Sequence, residues 1–251
     1  MPPSLVRSAL EQLLLPAECL LCHALLVERD TARIVCPVCQ HRWRHVRPPW
    51  CARCGQPEPH FGPCRLCAEW PAGLQSVRSA VWLSEGAQDA VHALKYRSLP
   101  RIADDLATAM RDLRPNTDGP SGLALIPIPL APKRFRRRGY NQSEVLARAL
   151  AKEWRIPVLV DVLVRTRDTP TQTALTPGTR LANVAGAFEV RNVKCGMRNF
   201  AFRLSTFELI LVDDVFTTGA TLAEAARALE QAGATRVEGV TFARAAIPDF
   251  T

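Results

Sequence analysis

No apolar run in the 251 residues approaches the ~18 that a helix needs to cross a bilayer. The stretch from Met1 to Pro16 lacks a small-residue cleavage site and carries Glu11 after its early Arg7. It therefore reads as a short amphipathic helix rather than a signal peptide, and the expectation is a cytoplasmic protein with no membrane insertion. Internal repeats are missing apart from a recurring C-x-x-C, and low-complexity sequence is missing altogether. Residues 16–71 also lack sustained periodicity. They are rich in Cys, Pro, Arg and His, with too few apolar residues to build a core, so they need staples.

What is present is globular in character. The chain is 47% apolar and 22% charged, and its 251 residues are enough for one ordinary domain plus a small module, or for two small domains. Eight of the nine cysteines form four C-x-x-C pairs: Cys19/Cys22, Cys36/Cys39, Cys51/Cys54 and Cys64/Cys67. In a reducing compartment such pairs are metal ligands more often than disulfides. The intervals of thirteen and nine residues within successive double pairs predict two zinc sites of four cysteines each. Sequential pairing joins Cys19, Cys22, Cys36 and Cys39 at one metal and Cys51, Cys54, Cys64 and Cys67 at the other. Interleaved pairing satisfies the same ligand count. With four thiolates each, the zinc ions have no open position and are structural. His23, His41, His45 and His60 then read as surface or supporting residues, and Cys195 as an ordinary small residue. The formal charge of +8 falls to about +4 once eight thiolates and two Zn2+ are included, so the basic balance by itself is a weak pointer to nucleic acid.

Beyond residue 72 the pattern changes, dividing the chain into a zinc module over 1–72 and a second domain over 73–251. The spacing predicts a strand over 77–83, helices over 86–97 and 100–113, and a strand over 123–128. A helix over 141–154 follows, with Asn141 and Glu144 placed as a capping box. Further strands are expected over 158–164, 208–212 and 236–243, with a helix over 220–232 between the last two. Strands alternating with helices predict an α/β fold, a parallel sheet flanked by helices. Residues 166–178 read as a long polar loop.

The sharpest chemical signal runs Leu209-Ile210-Leu211-Val212-Asp213-Asp214-Val215-Phe216-Thr217-Thr218-Gly219-Ala220-Thr221. A buried strand delivers two carboxylates to its carboxyl end, where open α/β sheets bind ligands. A loop of small hydroxyl residues then opens a helix, whose free N–H groups attract anions. The acids suit a ribose diol, and the loop suits a 5′-phosphate. A second constellation follows the strand Ile126-Pro127-Ile128-Pro129: Lys133, Arg134, Arg136, Arg137 and Arg138 form a basic loop before Gly139-Tyr140-Asn141-Gln142. It suits either a pyrophosphate or a nucleic-acid backbone. In the third, Arg165, Gln172 and Arg180 lie on a polar segment that could close as a lid.

The Asp213–Thr221 run resembles the phosphoribosyl pyrophosphate (PRPP) motif of type I phosphoribosyltransferases, with Phe216 bulkier than the usual aliphatic residue. The four C-x-x-C pairs, Leu94-Lys95-Tyr96, Arg138-Gly139-Tyr140-Asn141-Gln142 and Asp213-Asp214-Val215-Phe216-Thr217-Thr218-Gly219 together resemble the ComF family. That family comprises competence-associated proteins, with a related gluconate-periplasmic group. Residues 191–206 look like extra length relative to it.

The resemblance implies a type I phosphoribosyltransferase-like fold behind an N-terminal zinc module, acting on incoming single-stranded DNA beside a helicase-like competence protein. It carries PRPP binding onto Asp213, Asp214, Thr217, Thr218, Gly219, Ala220 and Thr221, with Mg2+ accompanying PRPP, and identifies no catalytic residue. Two functions follow. One is transfer of phosphoribose to an unidentified acceptor, with any base-selecting hood drawn from residues 77–116. The other is a DNA- or partner-binding module in which PRPP binding is regulatory or vestigial.

Overall fold

The computed structural model describes residues 17–26, 33–57, 64–96, 99–116, 122–167, 185–191 and 204–246. Its centre is a parallel sheet of four strands in the order β1-β6-β5-β2. The strands are β1 (Leu74–Trp82), β2 (Gly122–Pro127), β5 (Phe207–Phe216) and β6 (Val237–Arg244). A separate antiparallel pair joins β3 (Leu163–Arg165) to β4 (Phe188–Val190). β5 lies between two neighbours and under cover on both faces, so Leu209, Ile210, Leu211 and Val212 are all buried. This is why it reads as an unbroken apolar run rather than an alternation.

Six helices are described: α1 (Pro37–His41), α2 (Glu85–Tyr96), α3 (Ile102–Ala109), α4 (Pro132–Arg138), α5 (Gln142–Trp154) and α6 (Ala220–Gln231). In α5, Leu146, Ala147, Leu150 and Trp154 recur at helical spacing and are buried. α6 presents Leu222, Ala223, Ala225, Ala226 and Leu229 to the core, and its small side chains let the helix lie close to the sheet.

Alternating side chains of β5 divide the interior in two. Ile210 and Val212 join a core with α2, α3, α5 and the first cysteine group, including Cys19, Cys36, Cys39 and Trp43. Leu209 and Leu211 join the other, with α6, Cys54, Cys67 and Trp70. The two cysteine groups thus pack on opposite faces of one sheet.

Both sheet edges are also covered, which removes unpaired backbone from solvent. Along β1, Val46 N donates to Ala80 O at 3.0 Å, Trp82 N to Arg44 O at 2.7 Å and Val77 N to Arg53 O at 2.8 Å. Along β2, Leu125 N donates to Pro157 O at 2.9 Å and Leu159 N to Leu125 O at 2.8 Å.

Several elements differ from the sequence expectation. Residues 132–138 form a helix ended by Gly139 at φ 82° instead of a loop. Pro132 suits a first helical turn, and Gly139 supplies the left-handed residue that stops it. β5 continues four residues past Val212, because β6 pairs with it as far as Arg244. The strand expected over 158–164 is limited to an isolated bridge at Val158 and to β3. The helix expected over 100–113 is shorter and ends in a 3-10 turn over Arg111–Leu113. Asn141 does cap α5 by accepting from Ser143 N at 3.1 Å. Glu144 completes no capping box and pairs instead with Arg148 at 2.8 Å.

Candidate functional site

The cysteines assemble in sequential order. Ligand sulfurs of Cys19, Cys22, Cys36 and Cys39 lie within 4.8 Å of one another, and those of Cys51, Cys54, Cys64 and Cys67 do likewise. The Sγ–Sγ separations include 3.7 Å for Cys22/Cys36, 3.8 Å for Cys51/Cys67 and 3.5 Å for Cys54/Cys64. A tetrahedron of thiolates each ~2.3 Å from zinc has edges of about 3.8 Å, whereas a disulfide bond is about 2.05 Å. The spacing therefore fits two closed zinc sites, each of four thiolates.

Electrostatics agree. Burial and neighbouring sulfurs push Cys39, Cys54 and Cys67 well above the ordinary thiol range. Burial also acts upward on Cys19, but backbone N–H donors from Cys36, Cys22 and Leu21 bring it down to about 7. Four such thiols ionise together only around a cation. His23, His41 and His45 belong to neither group, and His60 and Cys195 lie outside the described residues.

Each group is tied to the rest of the molecule by one buried ionisable side chain. Asp105 of α3 accepts from Ile34 N at 3.0 Å, Val35 N at 3.2 Å and Gln40 Nε2 at 2.6 Å. Arg244, at the end of β6, donates to Cys54 O at 2.8 Å and Gln56 Oε1 at 2.7 Å.

At the carboxyl end of the sheet, β5 presents Asp213 and Asp214, then bends through Thr217, Thr218 and Gly219 into α6. Ser143 Oγ donates to Asp213 Oδ1 at 2.9 Å, and Asp214 N donates to the same oxygen at 2.9 Å. Lys95, near the end of α2, forms an ion pair with Asp214. Burial and the adjacent Asp214 carboxylate push Asp213 up to about 7. Burial acts upward on Asp214 too, but Lys95 outweighs it and holds Asp214 below the ordinary carboxylate range. Reciprocally, burial would lower Lys95, and Asp214 instead keeps it raised and charged.

Gly219 caps α6 at φ 77° without a side-chain hydrogen bond, and the first turn has no acidic residue. Thr218 is buried, and its Oγ1 has no hydrogen-bond partner. Uncapped N–H groups beside an unpaired hydroxyl make a receptive place for an anionic oxygen. Ala220 and Thr221 begin α6 behind this loop.

The basic residues share α4 but not one environment. Lys133, Arg136 and Arg137 are exposed, whereas Arg134 and Arg138 are half-buried. Arg138 donates to Gln142 Oε1, and its guanidinium lies 5.2 Å from the Tyr96 ring centroid. Tyr140 Oη donates to Leu94 O, which binds the start of α5 to the end of α2. Arg165 sits on β3, its guanidinium 5.2 Å from the Phe188 ring centroid. Gln172 and Arg180 lie outside the described residues. The side chains that pattern reading does not place here are Lys95 and Ser143. Lys95 has only the Leu94-Lys95-Tyr96 motif as a signal, and Ser143 has none, because its role depends on where α5 begins.

Known proteins resemble the chain in both parts. A double zinc ribbon domain matches residues 10–68 and a phosphoribosyl transferase domain matches residues 140–248. Among solved structures, adenine phosphoribosyl transferase from Trypanosoma brucei aligns with 58% of this chain and 65% of its own, at 14% identity and TM-score 0.33. The DNA utilization protein YhgH of Salmonella typhi is 31% identical over 90% of this chain and 96% of its own. Competence protein F of Haemophilus influenzae is 29% identical, covering 84% of this chain and 90% of its own. Competence protein ComFC of Bacillus subtilis is 26% identical, covering 86% and 89%. With its zinc ribbon, its phosphoribosyltransferase-like sheet and this near full-length likeness, the chain belongs to the ComF family of competence and DNA-utilization proteins.

Proposed function

We propose that the chain binds PRPP at the end of β5 and works in DNA uptake or natural competence, transferring phosphoribose to an acceptor. The observation that carries this reading is the pair Asp213 and Asp214 near the carboxyl end of β5, followed by the short loop that opens the uncapped N-terminus of α6. The acids accept hydrogen bonds from the ribose hydroxyls, which compete with Lys95 for Asp214 and with Ser143 for Asp213. Thr217, Thr218, Gly219, Ala220 and Thr221 hold the 5′-phosphate through N–H groups and hydroxyls. Arg138, anchored by Gln142 and Tyr96, faces the departing pyrophosphate. Mg2+ accompanies PRPP and offsets pyrophosphate charge when bound. Arg165, with Gln172 and Arg180, belongs to the lid. Residues 1–72 serve as the zinc-binding part and 73–251 as the phosphoribosyltransferase-like part. The protein acts in the cytoplasm; no described helix is long and apolar enough to cross a membrane.

Thermal melting with PRPP and Mg2+ tests the site, because a ligand specific to the native state raises the midpoint. Asp213→Asn and Asp214→Asn should each remove most of that rise. Wild-type shifts in both variants would discard the ribose assignment. Release of pyrophosphate across a panel of bases then tests transfer itself.

A second reading is a non-catalytic module that binds single-stranded DNA or a helicase-like partner. It is favoured by Lys133, Arg136 and Arg137, which are exposed together on α4. Arg136→Ala should weaken single-stranded DNA binding and flatten its salt dependence by about one unit per lost phosphate contact, leaving the PRPP-induced shift intact. Arg138→Ala should do the reverse. Equal loss of PRPP affinity in both, with no effect on DNA, would favour an enzyme without this surface.

A further inference from the structure

The two cysteine groups differ in what they touch. The first packs through Trp43, whose ring meets Phe242 edge-on at 5.1 Å between centroids, in the core that holds α2, α3 and α5. The second reaches the β5–α6 loop itself. Trp70, three residues beyond Cys67, meets the Phe216 ring at 6.2 Å and 66°. Phe216 is 1% exposed and directly precedes Thr217 and Thr218. The Arg244 guanidinium lies 4.3 Å from the Phe216 ring centroid while the same group donates to the Cys54 carbonyl at 2.8 Å.

Gly219 completes the contact. A methyl group there would run into the Trp70 ring and come within 2.9 Å of the Phe216 ring. Trp70 is held in turn from between the ligands. Arg53, flanked by Cys51 and Cys54, donates to Cys67 O at 3.0 Å, Trp70 O at 3.1 Å and Pro71 O at 2.7 Å. Its guanidinium lies 5.9 Å from the Trp70 ring centroid. The second cysteine group and Trp70 are thus braced together, and both Trp70 and the Arg244 guanidinium lie against the Phe216 ring that leads into the loop.

We propose that Trp70 and Arg244 are positioning residues for the phosphate loop, and that metal at Cys51, Cys54, Cys64 and Cys67 sets that loop's affinity for its phosphorylated ligand. This rests on the reading of the loop as the PRPP site. A loop held by packed side chains presents its N–H groups in one geometry, so ligand binding has less ordering to supply. The coupling is reciprocal: PRPP on the loop retains metal in the second group and leaves the first unaffected.

The test compares matched variants of the whole zinc-loaded protein by calorimetric titration of PRPP with Mg2+, alongside zinc content and far-UV circular dichroism. Trp70→Leu should weaken PRPP by about tenfold or more while keeping two zinc ions, and Trp70→Phe should restore most of the affinity. Trp43→Leu makes a comparable hole on the other face and should bind PRPP within about twofold of wild type. In wild type, chelator-driven zinc release should have two phases, of which PRPP slows one. Cys54→Ser should abolish the slowed phase and Cys36→Ser should leave it. Unchanged PRPP affinity in a folded Trp70→Leu, or equal protection of both zinc ions, overturns the coupling and spares the PRPP site. If Trp70→Leu does not fold, the release phases in wild type decide. Absence of PRPP binding by wild type overturns both readings.

Discussion

Asp213 and Asp214 are adjacent in sequence yet titrate in opposite directions, because Lys95 forms its ion pair with only one of them. Asp213 is raised to about 7 from 3.8 by burial and by the neighbouring carboxylate. The native state therefore holds this proton more tightly than the unfolded chain does. Between about pH 4 and 7 that difference removes stability as pH rises, and above about 7 the penalty is constant. Relative to wild type, Asp213→Asn should gain melting temperature across that window and then level off. A pH-independent offset between the two proteins would contradict the assignment. Lys95→Met leaves Asp214 buried without its counter-charge and should cost about 3 kcal/mol, read from the urea midpoint. Lys95→Met combined with Asp214→Asn should recover most of the loss; an additive loss would mean that the ion pair is not what stabilises them. These assignments depend on contacts from α2 and α5 that no local motif specifies, so a sequence reading finds the acids and misses what distinguishes them.

At the scale of elements, two glycines with similar backbone angles have different surroundings. Gly139 ends α4 at φ 82° with nothing within 4 Å of where a methyl group would sit, whereas Gly219 at φ 77° faces Trp70 and Phe216. Gly139→Ala should therefore cost only the left-handed backbone penalty, about 1 kcal/mol. Gly219→Ala adds overpacking and should cost about 3 kcal/mol, with PRPP binding lost as well. Chemical denaturation of both variants measures the contrast, and equal losses would remove the crowding argument. The β5–loop–α6 unit is legible in sequence because its apolar run, acids and hydroxyls are contiguous. Its length is not: β5 extends to Phe216 because β6 offers a partner as far as Arg244. The helical state of residues 132–138 was hidden for another reason. A short segment dense in charge shows no apolar face, so only Pro132 and Gly139 betray its ends.

Across the whole molecule, the cysteine groups and the sheet share their packing. Cys36 and Cys39 share a core with Leu125 and Ile210, and Cys54 and Cys67 share one with Leu209 and Leu211. Metal analysis of protein purified without added zinc should give two ions per chain, with Cys195→Ser unchanged; a ratio near one would exclude two filled sites. Cys51→Ser should lower thermal stability, since closed zinc sites contribute directly to folding. A chain beginning at residue 73 would expose the surfaces now covered by Trp43 and Trp70 and the edge of β1 now paired with Arg44 and Val46. It should aggregate or bind a hydrophobic dye, and a soluble, cooperatively melting fragment would show that the sheet does not need this cover.

Contiguous signals in the sequence were enough for the cysteine pairs, the parallel α/β pattern and the acid-hydroxyl loop, because each is encoded over a few neighbouring residues. Ligand spacing left the order of cysteine pairing open, and the fold resolved it by bringing sequential pairs within reach. The pairing of Lys95 with Asp214, the seating of the two cysteine groups on opposite faces, and the contact of Trp70 and Arg244 with Phe216 were decided only by tertiary structure. Each joins side chains that are far apart in the chain, and their meeting depends on strand order and on which face of the sheet each element covers.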